Sequence, residues 1–416
     1  PICKAMEIAS GLMSSFSAAA DPIVVCSALR TPICKAKRGG FGSTTPDHLL
    51  ATVLRATVER TGIDPSIIGD VVVGNVLEPG GGAAMGRIAQ LLAGIPHSVP
   101  LSAVNRQCSS GLQAFANVSA AINSGMYDVG IAAGVESMST SSMSSGVPTI
   151  DIEVVKGHAA ARDCLIPMGI TSENVAAEYG ITRDVQDAFA AASHAKAAEA
   201  QARGWFDQEI VPVEATMRDE DGKVTGTKTV SADDGVRPGT TVERLSKLKA
   251  AFKKGGSTTA GNSSQVSDGA AAVLVMRRSK ASELGLPVLA VLRSYSVVGV
   301  PPAVMGIGPA FAIPAALEEA GVTVSDVDIF EVNEAFASQA TYCAGQLGIP
   351  EDKLNPKGGA IALGHPLGCT GARQIATLVH ELHRTSKQLG VISMCIGTGM
   401  GAAAVLERPE SMMARL

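Results

Sequence analysis

Two cysteines and one histidine occupy places where side chains can do chemistry. Cys108 lies in Asn-Arg-Gln-Cys-Ser-Ser-Gly-Leu-Gln-Ala-Phe, residues 105–115, where polar residues give way to apolar ones at helical spacing. That pattern puts a thiol at the threshold of a helix, whose unpaired N–H groups favour negative charge. A free thiol titrates near ~8.5 and such a site lowers the value, so a thiolate nucleophile at neutral pH is expected. The competing reading is a small buried hydrophobe, the commoner fate of a free cysteine. Gly111, just inside the helix, leaves room for another backbone to approach.

A thiol nucleophile needs a proton partner, usually histidine. His48, His97, His158 and His194 have the polar or loop contexts of surface residues. His365 differs. It sits in Gly-Gly-Ala-Ile-Ala-Leu-Gly-His-Pro-Leu-Gly, residues 358–368, where glycines and a proline fix an irregular, exposed backbone. Cys395 ends an apolar strand just before a glycine turn. Gly397, Gly399 and Ala402 match a dinucleotide fingerprint, yet the residues after them are too few for the helix, strand and acid it requires. What remains is a nest of backbone N–H groups beside a thiol, suited to an oxyanion. Asn333, after a strand in Phe-Glu-Val-Asn-Glu-Ala-Phe, is either a turn residue or an amide that orients a water or carbonyl.

Composition bounds the remaining choices. The chain is 46% hydrophobic and 18% charged, with 45 glycines and 3% aromatics, which suits close α/β layering. A net charge of −5 argues against nucleic-acid or anionic-membrane partners. The cysteines at 3, 26, 34, 108, 164, 343, 369 and 395 form no Cys-x-x-Cys, so neither a metal site nor a disulfide framework is expected, and a reducing compartment is. His380-Glu-Leu-His383 has the wrong spacing for a metal-binding helix and reads as a polar helix end. The uncharged run 294–317 carries four prolines, and 388–406 reads as strand, turn, strand; neither is a membrane span.

The elements that position these residues come in a doubled order. Residues 67–80 are echoed at 324–336, and 108–137 at 369–399, about 260 residues on. Each half alternates β-branched runs with helical segments, which predicts a mostly parallel sheet covered by helices. The expected division is a leader over 1–20, a first half over 21–138 and 257–285, an inserted loop domain over 139–256, a second half over 286–410, and a tail over 411–416. Within the insertion, Thr182 and Gly204 bracket a helix as cap and stop.

Together these motifs resemble the thiolase family, from about Asp21 to Glu407: NRQCSSGLQA around Cys108, NEAFA at 333–337, GGAIALGHPLGCTGAR at 358–373 and MCIGTGMGAA at 394–403. Residues 166–176 and the run through TTAGNSSQVSDGAA resemble its degradative, peroxisomal-type branch. Pro167 stands where short-chain members often carry a histidine, which argues against strict acetoacetyl-CoA specificity. The resemblance implies a five-layer α-β-α-β-α core of two similar halves. It also implies thiolytic cleavage of 3-ketoacyl-CoA by CoA, the last step of β-oxidation. Cys108 would be the acylated nucleophile, His365 its base, and Cys395 the acid and base toward the acetyl carbanion and CoA. The N–H groups of Cys108 and Gly397 would form one oxyanion hole, His365 and a water held by Asn333 the other. CoA and acetyl-CoA are substrates rather than resident cofactors, with no metal. Arg237 would pack on adenine, Ser264 contact pantetheine, and Phe252, Ala260 and Met168 line the tunnel. Lysines 247, 249, 253 and 254 read as a solvated face, and Cys369 receives no role. A homodimer is implied. Ala414-Arg415-Leu416 resembles a peroxisomal address read by an import receptor, with mitochondrion or cytoplasm as the alternatives. A decarboxylating ketoacyl synthase would lack the second cysteine, and a non-catalytic carrier would lack part of the triad Cys108, His365 and Cys395.

Overall fold

A computed structural model describes residues 21–142, 149–219 and 221–410; the expected leader and the address at 414–416 lie outside them. The first half opens with β1 (Ile23–Arg30), β2 (Cys34–Lys35), β3 (Asp70–Gly74), β4 (Leu101–Val104) and β5 (Val129–Ser137). Its helices are α1 (Pro46–Thr61), α2 (Ala83–Leu92) and α3 (Ser110–Asn123). The chain leaves the sheet after Ser137 and builds α4 (Met168–Glu178), α5 (Arg183–Ala202) and a hairpin, β6 (Val213–Arg218) with β7 (Val224–Val230). It returns as β8 (Ser267–Arg277). The second half holds β9 (Ala290–Gly299), α6 (Gly308–Ala320), β10 (Ile329–Val332), α7 (Ala337–Leu347), α8 (Leu367–Arg384), β11 (Leu389–Ile396) and β12 (Met400–Glu407).

The sheet order is β4-β3-β5-β8-β1 in one half and β10-β11-β12-β9 in the other, and the two edges meet where Val24 and Val25 pair with Val291 and Ala290. The expectation of mostly parallel sheets fails. Only β3 with β4, β3 with β5, and β10 with β11 run parallel; β5–β8, β8–β1, β11–β12 and β12–β9 are antiparallel. Of these antiparallel pairs only β11–β12 is joined by a short turn; the others join strands remote in sequence, and the alternation of runs does not encode the direction of such pairs. The doubling itself is real: β3, α3 and β5 correspond in order to β10, α8 and β11.

β1, β5, β8, β11 and β12 are buried on both faces, which is why the sequence shows continuous apolar runs there, whereas β9 alternates buried and partly exposed residues. In β1, Val24 and Cys26 join an outer core against Leu49, Leu50, Val53 and Leu54 of α1. Ile23 and Val25 join the central core with Phe115 and Val118 of α3 and Ile375 and Val379 of α8. That core also takes Ile392 and Met394 of β11, while Val391 turns outward toward Ile313 and Leu317 of α6. Helices, sheet, paired helices, sheet and helices make five layers. The central pair approaches closely because both helices lack a Cβ at the crossing. A Cβ on Gly111 would lie 2.7 Å from the Gly368 carbonyl, and one on Gly371 would lie 2.2 Å from the Leu112 nitrogen.

A buried charge cluster ties the insertion to both halves, and nothing in the sequence announced it. Arg30 Nε meets Glu209 at 2.6 Å and its terminal nitrogens grip Asp233 at 2.7 and 2.9 Å. Glu209 also takes Lys357 Nζ and Thr377 Oγ1, each at 2.9 Å. All these charged side chains are almost wholly buried.

Candidate active site

Cys108 lies in a single 3-10 turn, Gln107–Ser109, that runs directly into α3. The turn is braced from within: Ser110 Oγ accepts the Arg106 N–H at 3.0 Å and donates to the Gln107 carbonyl at 2.6 Å. The N–H groups of Gly397 and of Cys108 itself both favour the thiolate form of Cys108. The expected lowering of this thiol does not prevail. Burial outweighs the two N–H groups and the Glu136 charge adds to it, so the pKa is raised. At rest Cys108 is a thiol.

Cys395 is fully buried near the end of β11, opposite Gly401 of β12. It packs with Met305, Ala335 and Phe336, and Met168 closes over them. Burial, followed by the neighbouring Cys108 charge, holds its pKa well above the ordinary thiol range. Cys395 therefore lies within electrostatic reach of Cys108, across the halves. β11 and β12 are joined by Gly397, Thr398 and Gly399 alone, at the place where the first half carries its entire insertion. A Cβ at 397 would stand 2.4 Å from Gln107 Oε1, so a side chain there would push the Gln107 amide aside.

His365 is 4% exposed and sits just before α8 rather than on an exposed turn. Thr370 Oγ1 gives its proton to the Pro366 carbonyl at 3.0 Å and lies 2.6 Å from His365 Nδ1. It therefore accepts from Nδ1–H, which assigns the tautomer with a bare Nε2. Burial first, then the Arg373 charge, pushes the imidazole down to about 3, so it is neutral and able to accept a proton. Asn333 Nδ2 lies 3.4 Å from that Nε2. Its Oδ1 is buried without a partner, an acceptor left open for a water or ligand.

Glu136, which the sequence reading missed, pins the floor of this site. It accepts N–H groups from Val76 (3.1 Å), Leu77 (3.2 Å) and Gly368 (2.9 Å), and the Asn75 amide at 3.1 Å. That joins the β3 loop to the start of α8 beneath Cys108. Burial raises its pKa to about 7 against these donors.

The CoA candidates divide. Met168 begins α4 beside Gly397, and Phe252 rests on Gly169 with its ring 6.3 Å from Phe336. An apolar wall therefore runs from Phe252, 45% exposed, inward to Cys395. Ser264 joins it through its N–H to the Ala335 carbonyl, 3.0 Å. Arg237 and Ala260 stand exposed outside that wall. His194 is buried, not on the surface: its Nδ1 accepts the Arg237 N–H at 3.3 Å, and burial with the Arg237 charge lowers it to about 4. Lysines 247, 249, 253 and 254 are exposed, with Lys247 paired to Glu243.

A doubled α/β core that sets Cys108 of one half beside Gly397 and Cys395 of the other defines a class, and the family comparisons agree on which. The thiolase N-terminal domain matches residues 23–279 and the thiolase C-terminal domain residues 286–408, so the chain belongs to the thiolase family. It is 65% identical over 393 residues to the peroxisomal 3-ketoacyl-CoA thiolase B of Rattus norvegicus, covering 94% of this chain and 92% of that one. The dimeric peroxisomal thiolase of Saccharomyces cerevisiae matches with a TM-score of 0.86 at 48% identity, over 93% of this chain and 97% of that one. Another structure of the Saccharomyces cerevisiae peroxisomal 3-ketoacyl-CoA thiolase, five-layered with two core domains of identical topology, matches at 0.75 and 44%, over 93% and 98%.

Proposed function

We propose that this chain is a peroxisomal 3-ketoacyl-CoA thiolase, an acyltransferase that cleaves 3-ketoacyl-CoA with CoA into a shortened acyl-CoA and acetyl-CoA. Family membership and the 65% identity over 94% of the chain support the reaction and the location. The dimeric yeast relative supports a homodimer. The observation that carries the mechanism is the convergence of Cys108, the Gly397 N–H and Cys395 from the two halves.

In the first half-reaction the Cys108 thiol passes its proton to His365 Nε2 as the sulfur attacks the 3-keto carbon. The C2–C3 bond then breaks, leaving the acyl group on Cys108 as a thioester. Cys395 gives its proton to the departing acetyl-CoA carbanion. In the second, the Cys395 thiolate takes the proton from CoA, whose sulfur attacks the acyl carbon. Cys108 leaves and recovers its proton from His365. The N–H groups of Cys108 and Gly397 serve the oxyanion on the acyl carbon. His365, once protonated at Nε2, and a water on the open Asn333 Oδ1 serve the acetyl enolate oxygen. Each such donor is worth about 2.7–4 kcal/mol in the barrier. CoA enters as a substrate along the Phe252–Met168 wall, with Ser264 on pantetheine, Arg237 on adenine and Ala260 at the mouth; no resident cofactor or metal takes part.

The test is turnover of a 3-ketoacyl-CoA with CoA, read as loss of the 3-keto thioester absorbance, with and without iodoacetamide. Turnover silenced by alkylation and abolished in Cys108→Ser is expected. Cys395→Ser retaining a rate within about twofold of the parent would refute the acid–base assignment.

A further inference from the structure

Each catalytic turn holds a non-glycine residue in the left-handed region. Gln107, immediately before Cys108, has φ +48°, and Thr398, immediately after Gly397, has φ +67°. For a β-branched residue such as Thr398 this conformation is a strained outlier, and glycine would adopt it freely. Both residues are held there by their surroundings. The Gln107 N–H donates to Asn105 Oδ1 at 2.9 Å, and its carbonyl accepts from Ser110 Oγ at 2.6 Å. The Thr398 hydroxyl donates to the Gly397 carbonyl, and the Thr398 carbonyl takes the Cys164 thiol at 3.8 Å. The two strained residues also meet each other. Gln107 Nε2 donates to Thr398 Oγ1 at 3.4 Å, across 291 residues of chain, while Gln107 Oε1 lies over Gly397.

We propose that Gln107 and Thr398 form a positioning clamp that seats the Gly397 N–H on the Cys108 sulfur and fixes the loop behind Cys395. Neither side chain reaches the reacting atoms; both act through Gly397. A strained threonine where glycine would be easier is a stability cost, and such costs persist where they hold a working geometry. The inference rests on the roles given to Cys108, Gly397 and Cys395 above. It adds to them that a side-chain pair helps lock the halves together at the chemistry, beyond core packing.

The experiment compares Thr398→Gly, Thr398→Val, Thr398→Ser, Gln107→Leu and the double variant Gln107→Leu/Thr398→Val. For each, kcat, KM for CoA and Tm are measured on the full chain. Thr398→Gly should melt at the parental temperature or above it, yet lose about ten- to a hundredfold in kcat with little change in KM, as expected for a misplaced reacting group. Thr398→Val should lose a similar factor, and Thr398→Ser, which keeps the hydroxyl, should recover most of it. The double variant should be no slower than the slower single one, because either change opens the same clamp. Parental kcat in Thr398→Gly or Thr398→Val overturns the proposal. So does a double variant whose losses multiply, or a rate loss that follows a fall in Tm. Those outcomes leave the catalytic reading standing, whereas full turnover by Cys108→Ser would sink that reading itself.

Discussion

The raised thiol of Cys108 can be measured directly by alkylation. An ordinary thiol with pKa ~8.5 is about 3% ionised at pH 7, and burial holds Cys108 above that, so its thiolate is scarcer still. Each unit of pH should therefore raise its rate of reaction with iodoacetamide about tenfold between pH 7 and 8.5, each unit being worth 1.36 kcal/mol. His365, held down near 3, stays neutral throughout and adds no inflection between pH 5 and 8. The helix-start argument alone gives the opposite profile, a thiolate already formed at pH 7 and a flat rate. The assay is timed alkylation of the intact enzyme, quenched and mapped by peptide mass. Mapping separates Cys108 from Cys164, the other partly exposed cysteine among the described residues. A plateau below pH 7 at the Cys108 peptide would mean a thiolate–imidazolium pair at rest. It would refute the conclusion that burial outweighs the N–H groups.

Two further outcomes follow from the geometry. Asn333→Ala should lower kcat about a hundredfold with Tm near the parental value, because its Oδ1 has no partner among the described residues and in the proposed mechanism holds a water; an unchanged kcat would remove the water from the mechanism. Glu209→Gln should cost about 3–5 kcal/mol of stability, since Arg30 and Lys357 then lose a buried counter-charge, and an unchanged melting temperature would contradict it. Lys357 and Arg30 hold the Glu209 pKa down to about 2. A depressed carboxylate contributes its stability above the unfolded value of ~4.3 and loses it as pH falls toward 2. The gap in melting temperature between parent and variant should therefore shrink over that window.

Local signals carried much of the site. Cys108, His365 and Cys395 stand at turn boundaries marked by glycine, proline and a change of period, and those marks survive in any single sequence. The doubled order was legible for the same reason, because β3-α3-β5 and β10-α8-β11 repeat one local programme. Charge balance was not legible. His194 looks like a surface histidine in Ala-Ser-His-Ala, yet α5 turns it inward onto the Arg237 N–H. Glu136 looks like a strand terminus, yet four donors from two remote segments meet on it.

The sequence by itself determined which atoms are available: two thiols, an imidazole, an amide and a glycine turn, on strands apolar enough to be buried on both faces. Tertiary structure decided their states. Strand direction, the Arg30–Glu209–Lys357 cluster, the neutral His365 and the un-ionised Cys108 all depend on what lies across the fold. Desolvation and Coulomb interactions act through space between segments hundreds of residues apart, and no local pattern encodes that distance.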